Sequence, residues 1–327
     1  MKLYTLAMTL LTSKRLRLYS TALIFLYLVL ALRFGYSSLF EEPRVCDYGQ
    51  YWSAGLLVLD GRSPDVYDRQ MLHEVEREHL GQDFPNLHFN YPPTYLLFQT
   101  PFSLLPYLAA LSLFLAACVV SFFALSQKIV KRALDERTDL DSKLRKNYEA
   151  TAARLALAFP GIILNLSYGQ NGLLSASLLG LGLLLLDSHP LWAGMAIAGL
   201  SYKPNLAVVA PFVLLLTRRW KALFSTIVSS LVLVFTSLLF FGPQPWLNFL
   251  ERVSAVFEFL QKHPVILYRY VTFFGTLKLW GLSDFQSSIL QSLLTIGTLI
   301  ALAFLWLKGR SHYLACAGTV CACLLTT

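Results

Sequence analysis

The sequence predicts an all-α polytopic integral membrane protein of about eight to nine membrane segments, with a large folded first external loop. Three observations carry that expectation. Hydrophobic residues make up 56% of the 327-residue chain. Apolar runs long enough to cross a hydrocarbon core of roughly 30 Å recur from Leu18 almost to Thr327. Basic residues gather in short clusters at the ends of those runs. The runs lack the two-residue alternation of a membrane barrel, so helices must satisfy their backbone groups in lipid.

The formal charge of +8 is explained by topology rather than by nucleic acid, because the clusters flank apolar runs and do not line one polar surface. Lys14, Arg15 and Arg17 precede the first span, from about Leu18 to Phe40. A cleaved signal peptide competes for this segment, but no small-x-small site follows Leu32, so a retained span with a cytoplasmic N-terminus is expected. Residues 41–93 then form the first external loop, and a second span follows from about Thr94 to Gln127. It exceeds one perpendicular crossing, which predicts tilt or a kink near Pro101 or Pro106.

Lys128, Lys131, Arg132, Arg137, Lys143, Arg145 and Lys146 mark 127–149 as a basic cytoplasmic loop. A third span rises from about Ala150 to Tyr168, Gly169-Gln170-Asn171 marks its outer end, and a fourth returns from Leu173 to Leu186. One apolar stretch separates Asp187 from Arg218, interrupted by Tyr202-Lys203-Pro204-Asn205. Two half-helices meeting at Lys203 keep both flanks on the cytoplasmic side, whereas one continuous span over Leu191 to Leu216 would not. Ala222 to Phe241 leads to a second external loop, 242–270, and another span near Ile289 to Leu307 ends at Lys308 and Arg310. The last run, from Tyr313, stops at Thr327 short of the roughly twenty residues a span needs, so the C-terminus reads as truncated inside a helix. The whole, 1–327, is expected to be a single transmembrane domain.

The first external loop is too long to be only a connector. Asp68 to Leu80 sets Met71, Leu72, Val75 and His79 at helical spacing, with Glu74, Glu76, Arg77 and Glu78 mostly elsewhere, an amphipathic helix for the membrane surface. The loop opens on Cys46-Asp47-Tyr48-Gly49-Gln50-Tyr51-Trp52 and closes on Phe89-Asn90-Tyr91-Pro92-Pro93. A carboxylate near the lipid–water boundary, Asp47, is suited to act as general base, or it caps the helix beginning near Tyr48. Tyr51, Trp52 and Tyr91 suit stacking on a sugar or an interfacial aromatic belt. Gln170 and Asn171 suit hydrogen bonds to sugar hydroxyls or capping of the fourth span. Lys203, an ionisable group inside an apolar stretch, either meets an anion or snorkels to the interface.

The ordered motifs D-x-x-x-Y-W at Asp47, G-x-x-P-x-x-Y-D at Gly61 to Asp68 and Y-P-P at Tyr91 resemble glycosyltransferase family 87. Gly169-Gln170-Asn171 and Lys203-Pro204, followed by the basic cluster at Arg218, fit the same pattern, and the resemblance spans about residues 20 to 310. It implies a C-type glycosyltransferase fold and a polyprenyl-phosphate mannose donor. Asp47 would deprotonate an acceptor hydroxyl that attacks the anomeric carbon with inversion, and Lys203 and Arg269 would neutralise phosphate charge. The implied partners are a polyprenyl-phosphate-linked sugar donor, a lipid or glycan acceptor and membrane lipids, with no nucleic acid, nucleotide site, metal or cofactor. The implied place is the cell inner membrane, with the site facing the periplasm. Full-length members carry further spans beyond the region where this chain stops.

Other signals are weaker. Asp139-Leu140-Asp141 has the D-x-D spacing of a nucleotide-sugar metal site but lies among cytoplasmic basic residues. His73, His79 and His88 show no i, i+4 spacing, and the five cysteines form no C-x-x-C pair. No P-loop, G-x-G-x-x-G or G-x-S-x-G is present. A transporter or lipid flippase using the break at Lys203, or a non-catalytic assembly subunit, are the rival readings.

Overall fold

A computed structural model describes residues 13–40, 47–86, 88–137, 140–262, 272–309 and 311–326. These are helical throughout, with short links and no strand among the described residues. Four helical segments are long and apolar enough to cross a membrane: Tyr107–Asp135, Ser142–Tyr168, Trp220–Phe241 and Asp284–Lys308. Shorter apolar helices cover Gly172–Leu185, Pro204–Leu216 and His312–Leu325. Along Trp220–Phe241 the large side chains of Phe224, Leu231, Val232, Phe235 and Leu239 are exposed, an apolar coat that water would penalise and lipid would not. The chain is a membrane-embedded helical protein.

It divides into two compact units. The first comprises Met1–Ser53, His73–Leu87 and Phe102–Ser177. Here α1 (Ser13–Phe40) packs on α6 (Ser142–Leu157) and α7 (Pro160–Tyr168), as does α5 (Tyr107–Asp135). Arg17 Nη1 of α1 donates to Asn147 Oδ1 of α6 at 3.1 Å. The α6–α7 break is set by Pro160, which supplies no amide donor. The Ala158 carbonyl left there accepts from the Tyr27 hydroxyl at 3.2 Å.

The kink expected near Pro106 is found, and a second expectation changes. The long second span is two helices, α4 (Thr94–Ser103) and α5, because the chain breaks at Leu104 to Pro106 and Pro106 stands at the N-cap of α5. The basic stretch 127–149 is largely helix rather than loop. α5 runs on to Asp135, and α6 begins at Ser142 behind Asp141, whose Oδ1 accepts from Leu144 N at 2.6 Å. Arg145 bonds Asp135 across that short link and Glu149 one turn on within α6. Asp141 is thus a helix cap, and Asp139 lies outside the described residues.

The helix of the first loop, α3 (Arg69–Leu80), is capped by Asp68, whose Oδ1 accepts from Gln70 N and Met71 N. Its buried residues are Leu72, Val75, Leu80 and, unexpectedly, Glu76 at 0% exposure, while His79 is exposed. Glu76 falls four residues after Leu72 and four before Leu80, so helical spacing sets it on their face despite its charge. His73 Nδ1 sits 3.3 Å from Glu76 Oε2, and burial pushes the carboxyl up to about 8. The folded state therefore keeps a proton that the unfolded state releases near 4.5, and stability falls as pH rises from there through about 8. Glu76→Gln is expected to flatten that slope: in thermal unfolding scans the wild-type Tm declines over this window and the variant's does not.

The second unit comprises Ala54–Leu72, His88–Pro101 and Leu178–Thr327. Its core joins Leu179 and Leu183 of α8 (Gly172–Leu185), Ile197 of α9 (Pro190–Ala198), Val209 and Val213 of α11 (Val209–Leu216), Leu302 of α15 (Asp284–Lys308) and Cys323 of α16 (His312–Leu325). α9 packs on α12 (Trp220–Phe241), where Ser225 Oγ donates to the Leu191 carbonyl at 2.7 Å. Ser283 and Ser311 cap α15 and α16, the former in a full capping box with Gln286.

The stretch between Asp187 and Arg219 is broken at Lys203, as expected. α9 continues into a 3-10 turn over Gly199–Tyr202, Lys203 turns aside at φ −127°, and α10 (Pro204–Ala207) leads into α11. Arg219 Nη1 and Asp187 Oδ1, on either side of this stretch, meet at 2.5 Å, and His312 Nδ1 lies 3.7 Å from the same carboxylate. The chain thus leaves and returns at one end of the unit. Each arm of the hairpin, 190–202 and 204–216, is about 20 Å long at about 1.5 Å per residue, less than a hydrocarbon core of roughly 30 Å. After α12, residues expected as external loop form α13 (Gln244–Lys262), and α14 (Phe273–Leu279) comes later in the chain.

Candidate functional site

Asp47 opens α2 (Asp47–Leu59), where the amide ends of the first turn favour a carboxylate. Two aromatic side chains hold the part of this helix that lies in the first unit, a part that ends at Ser53. Trp52, 6% exposed, donates Nε1 to the Leu105 carbonyl at 3.0 Å and sets its ring edge-on to Tyr107 and His79. Tyr48 packs 4.9 Å from Phe114.

Gln170 meets this helix from the link between α7 and α8. Its Nε2 donates to Asp47 Oδ2, and the Tyr51 hydroxyl donates to its Oε1 at 3.4 Å. Asp47, Tyr51 and Gln170 are therefore one hydrogen-bonded chain, although they lie far apart in sequence. The link is shaped by glycine at two points. Gly169 ends α7 in the left-handed region, φ 66°, and a Cβ on Gly172 would stand 2.8 Å from Asn165 Oδ1.

Asn165 is the residue that sequence reasoning missed. Its Nδ2 donates to the Gly161 carbonyl at 2.7 Å and its Oδ1 accepts from Leu173 N at 3.1 Å, so it performs the capping proposed for Gln170 and Asn171. Asn165→Ala is expected to cost about 1 kcal/mol in thermal or denaturant unfolding and to lower activity through Gln170. Asn171 is fully buried, and neither its Oδ1 nor its Nδ2 has a hydrogen-bond partner among the described residues. Gln50 Oε1 is likewise buried without a partner. Amide groups left so are costly unless water or ligand satisfies them.

In the second unit, Tyr91 is half-buried and stacked on Tyr95, with centroids 4.6 Å apart, and Tyr95 lies 5.1 Å from Tyr202. The Tyr91 carbonyl accepts from the Tyr67 hydroxyl at 2.8 Å. Tyr202 is the last residue of the 3-10 turn and Lys203 follows it, so the aromatic stack adjoins the helix break. Lys203 is half-buried, its amide bonded to the Leu200 carbonyl at 2.7 Å. Tyr95 and Tyr202 carry no signal of their own in the sequence, although Tyr95 follows Tyr91 by four residues. Arg269 and Cys46 lie outside the described residues.

Tyr51, at 1% exposure, and Trp52 offer no open ring face for a sugar here, because packing and hydrogen bonds to protein occupy them. No three His, Cys, Asp or Glu side chains converge among the described residues.

A family model for glycosyltransferase family 87 matches residues 89 to 327, taking in Gln170, Asn171, Tyr91 and Lys203 but beginning after Asp47. No curated protein and no solved structure matches the chain. With the larger part of its length covered by that model, the chain belongs to glycosyltransferase family 87.

Proposed function

We propose that this glycosyltransferase is an inverting hexosyltransferase that uses a polyprenyl-phosphate sugar, mannose by the family resemblance. Its acceptor would be a lipid or glycan on the outer side of the inner membrane. The observation that carries the reading is the bond from Gln170 to Asp47, which ties a residue inside the family match to the carboxylate that precedes it. The reading includes a C-type fold of eight to nine membrane segments, with the N-terminus cytoplasmic and the loop bearing Asp47 outside.

In the proposed reaction, the acceptor hydroxyl gives its proton to the Asp47 carboxylate as its oxygen bonds the anomeric carbon. The bond from that carbon to the phosphate oxygen breaks, and polyprenyl phosphate leaves with the electron pair. Gln170 and Tyr51 hold the carboxylate's orientation. Lys203 and Arg269 are the proposed cations for the leaving phosphate, and Asn171 and Tyr91 the proposed contacts to sugar, with Trp52 fixing the helix that carries the base. No metal or cofactor has a step in this scheme.

The test is a donor panel in proteoliposomes: radiolabelled mannose, glucose and arabinose on polyprenyl phosphate, beside nucleotide-linked mannose. Label moving from a lipid-linked hexose alone is expected, and transfer from the lipid-linked arabinose alone would defeat the hexose assignment. Transfer from the nucleotide sugar, with none from any lipid donor, would defeat the reading.

A further inference from the structure

Apart from the residues already assigned, the second unit has a groove of about 320 Å³ lined by Tyr67, Asp68, Asn248, Glu251 and Arg252. Its walls are the 3-10 turn Ser63–Tyr67 and α13, which pack together, and its volume lies in the range of small-molecule sites.

The walls are fixed before any ligand arrives. Tyr67 donates its hydroxyl to the Tyr91 carbonyl, and its ring stands edge-on to Phe89 and 6.0 Å from Phe249. Burial raises its phenol, so it stays neutral. Asn248 Nδ2 donates to the Pro64 carbonyl at 3.0 Å, and Gln244 donates to Asn248 Oδ1 at 2.8 Å. Asp68 is engaged in capping α3.

The charges decide what fits. An anion such as phosphate would meet Arg252 but also both carboxylates, Asp68 and Glu251. A cation would meet those carboxylates but also Arg252, with Arg69 near enough to act on His88 as well. His88 adds no charge at neutral pH, being held near 4 by burial and then by Arg252 and Arg69. A neutral polyol matches all of these groups at once, with hydroxyl donors for Glu251, hydroxyl acceptors for the Arg252 guanidinium and an apolar ring face for Tyr67. The donor's phosphate end is thereby disfavoured.

Resting on the transferase reading, we infer that this groove is a saccharide subsite that holds a neutral sugar unit of the acceptor. Its rigid aromatic and amide walls are set against a carboxylate and a guanidinium that reach the hydroxyls.

Calorimetry on the full chain in nanodiscs tests this without turnover, using soluble oligomers of mannose, glucose and arabinose as probes. One of them is expected to bind the wild type, and to bind Glu251→Gln/Arg252→Met about tenfold more weakly, the loss of charged hydrogen-bond partners. If the double variant unfolds, the single change Glu251→Gln at an exposed position repeats the comparison. No binding by any oligomer, equal binding by wild type and variants, or displacement of a bound oligomer by inorganic phosphate would overturn the subsite. Binding without transfer from any donor sinks the transferase reading alone. Transfer with an unchanged acceptor KM in the variants sinks the subsite alone.

Discussion

Asp47→Asn is expected to lower kcat for sugar transfer by about 10²–10⁴-fold, the contribution of a positioned general base. The change is chosen to preserve everything but the proton acceptor. Asparagine is nearly isosteric, and its Oδ1 still accepts from Gln170 Nε2, so α2 and its packing through Trp52 remain. Donor KM is expected to move little, because in the proposed reaction the carboxylate acts on the acceptor hydroxyl as the transition state forms. Single-turnover measurements on refoldable, monodisperse protein check it. Loss of turnover together with a lowered Tm would mean a structural role, and a transporter or scaffold would show no change at all.

Lys203→Met is the second large effect: kcat falls by roughly 10²–10³-fold, the scale of losing one preorganised group opposite developing charge. Methionine keeps the aliphatic stem at the helix break while removing the charge. Lys203→Arg is expected to retain most activity, since phosphate needs the charge more than the shape. A snorkelling lysine would give the opposite pattern, with turnover unmoved and stability or insertion reduced.

Much of the fold was legible from apolar runs, and the reasons for the failures are physical. The half-helix break at Lys203 was readable because the positive-inside rule demands an even number of passes between Asp187 and Arg219, and those residues pair. The basic segment 127–149 misled because charge density resembles a loop. Helix propensity of Lys and Arg, the Asp141 cap and the Arg145 pairs extend helices through it. Proline and aromatic content around 242–270 likewise suggested a loop. Pro245 instead lies in the first turn of α13, where a missing amide donor costs nothing.

The candidate site was legible residue by residue but not as a network. Asp47 and Gln170 were each singled out, yet no local pattern pairs residues so distant in sequence, and only the tertiary packing joins them. Asn165 gave no signal because its role, bonding back to Gly161 and forward to Leu173, exists only once Gly169 turns the chain. Glu76 was assigned to the polar face by its charge, while helical spacing placed it with Leu72 and Leu80.

The anomeric configuration of the product tests the role of Asp47 most directly. From a synthetic donor carrying β-linked mannose on polyprenyl phosphate, a single displacement assisted by a base yields an α-linked product, and Asp47→Asn yields it about 10²–10⁴-fold more slowly. A β-linked product, or equal transfer by Asp47→Asn, would contradict it.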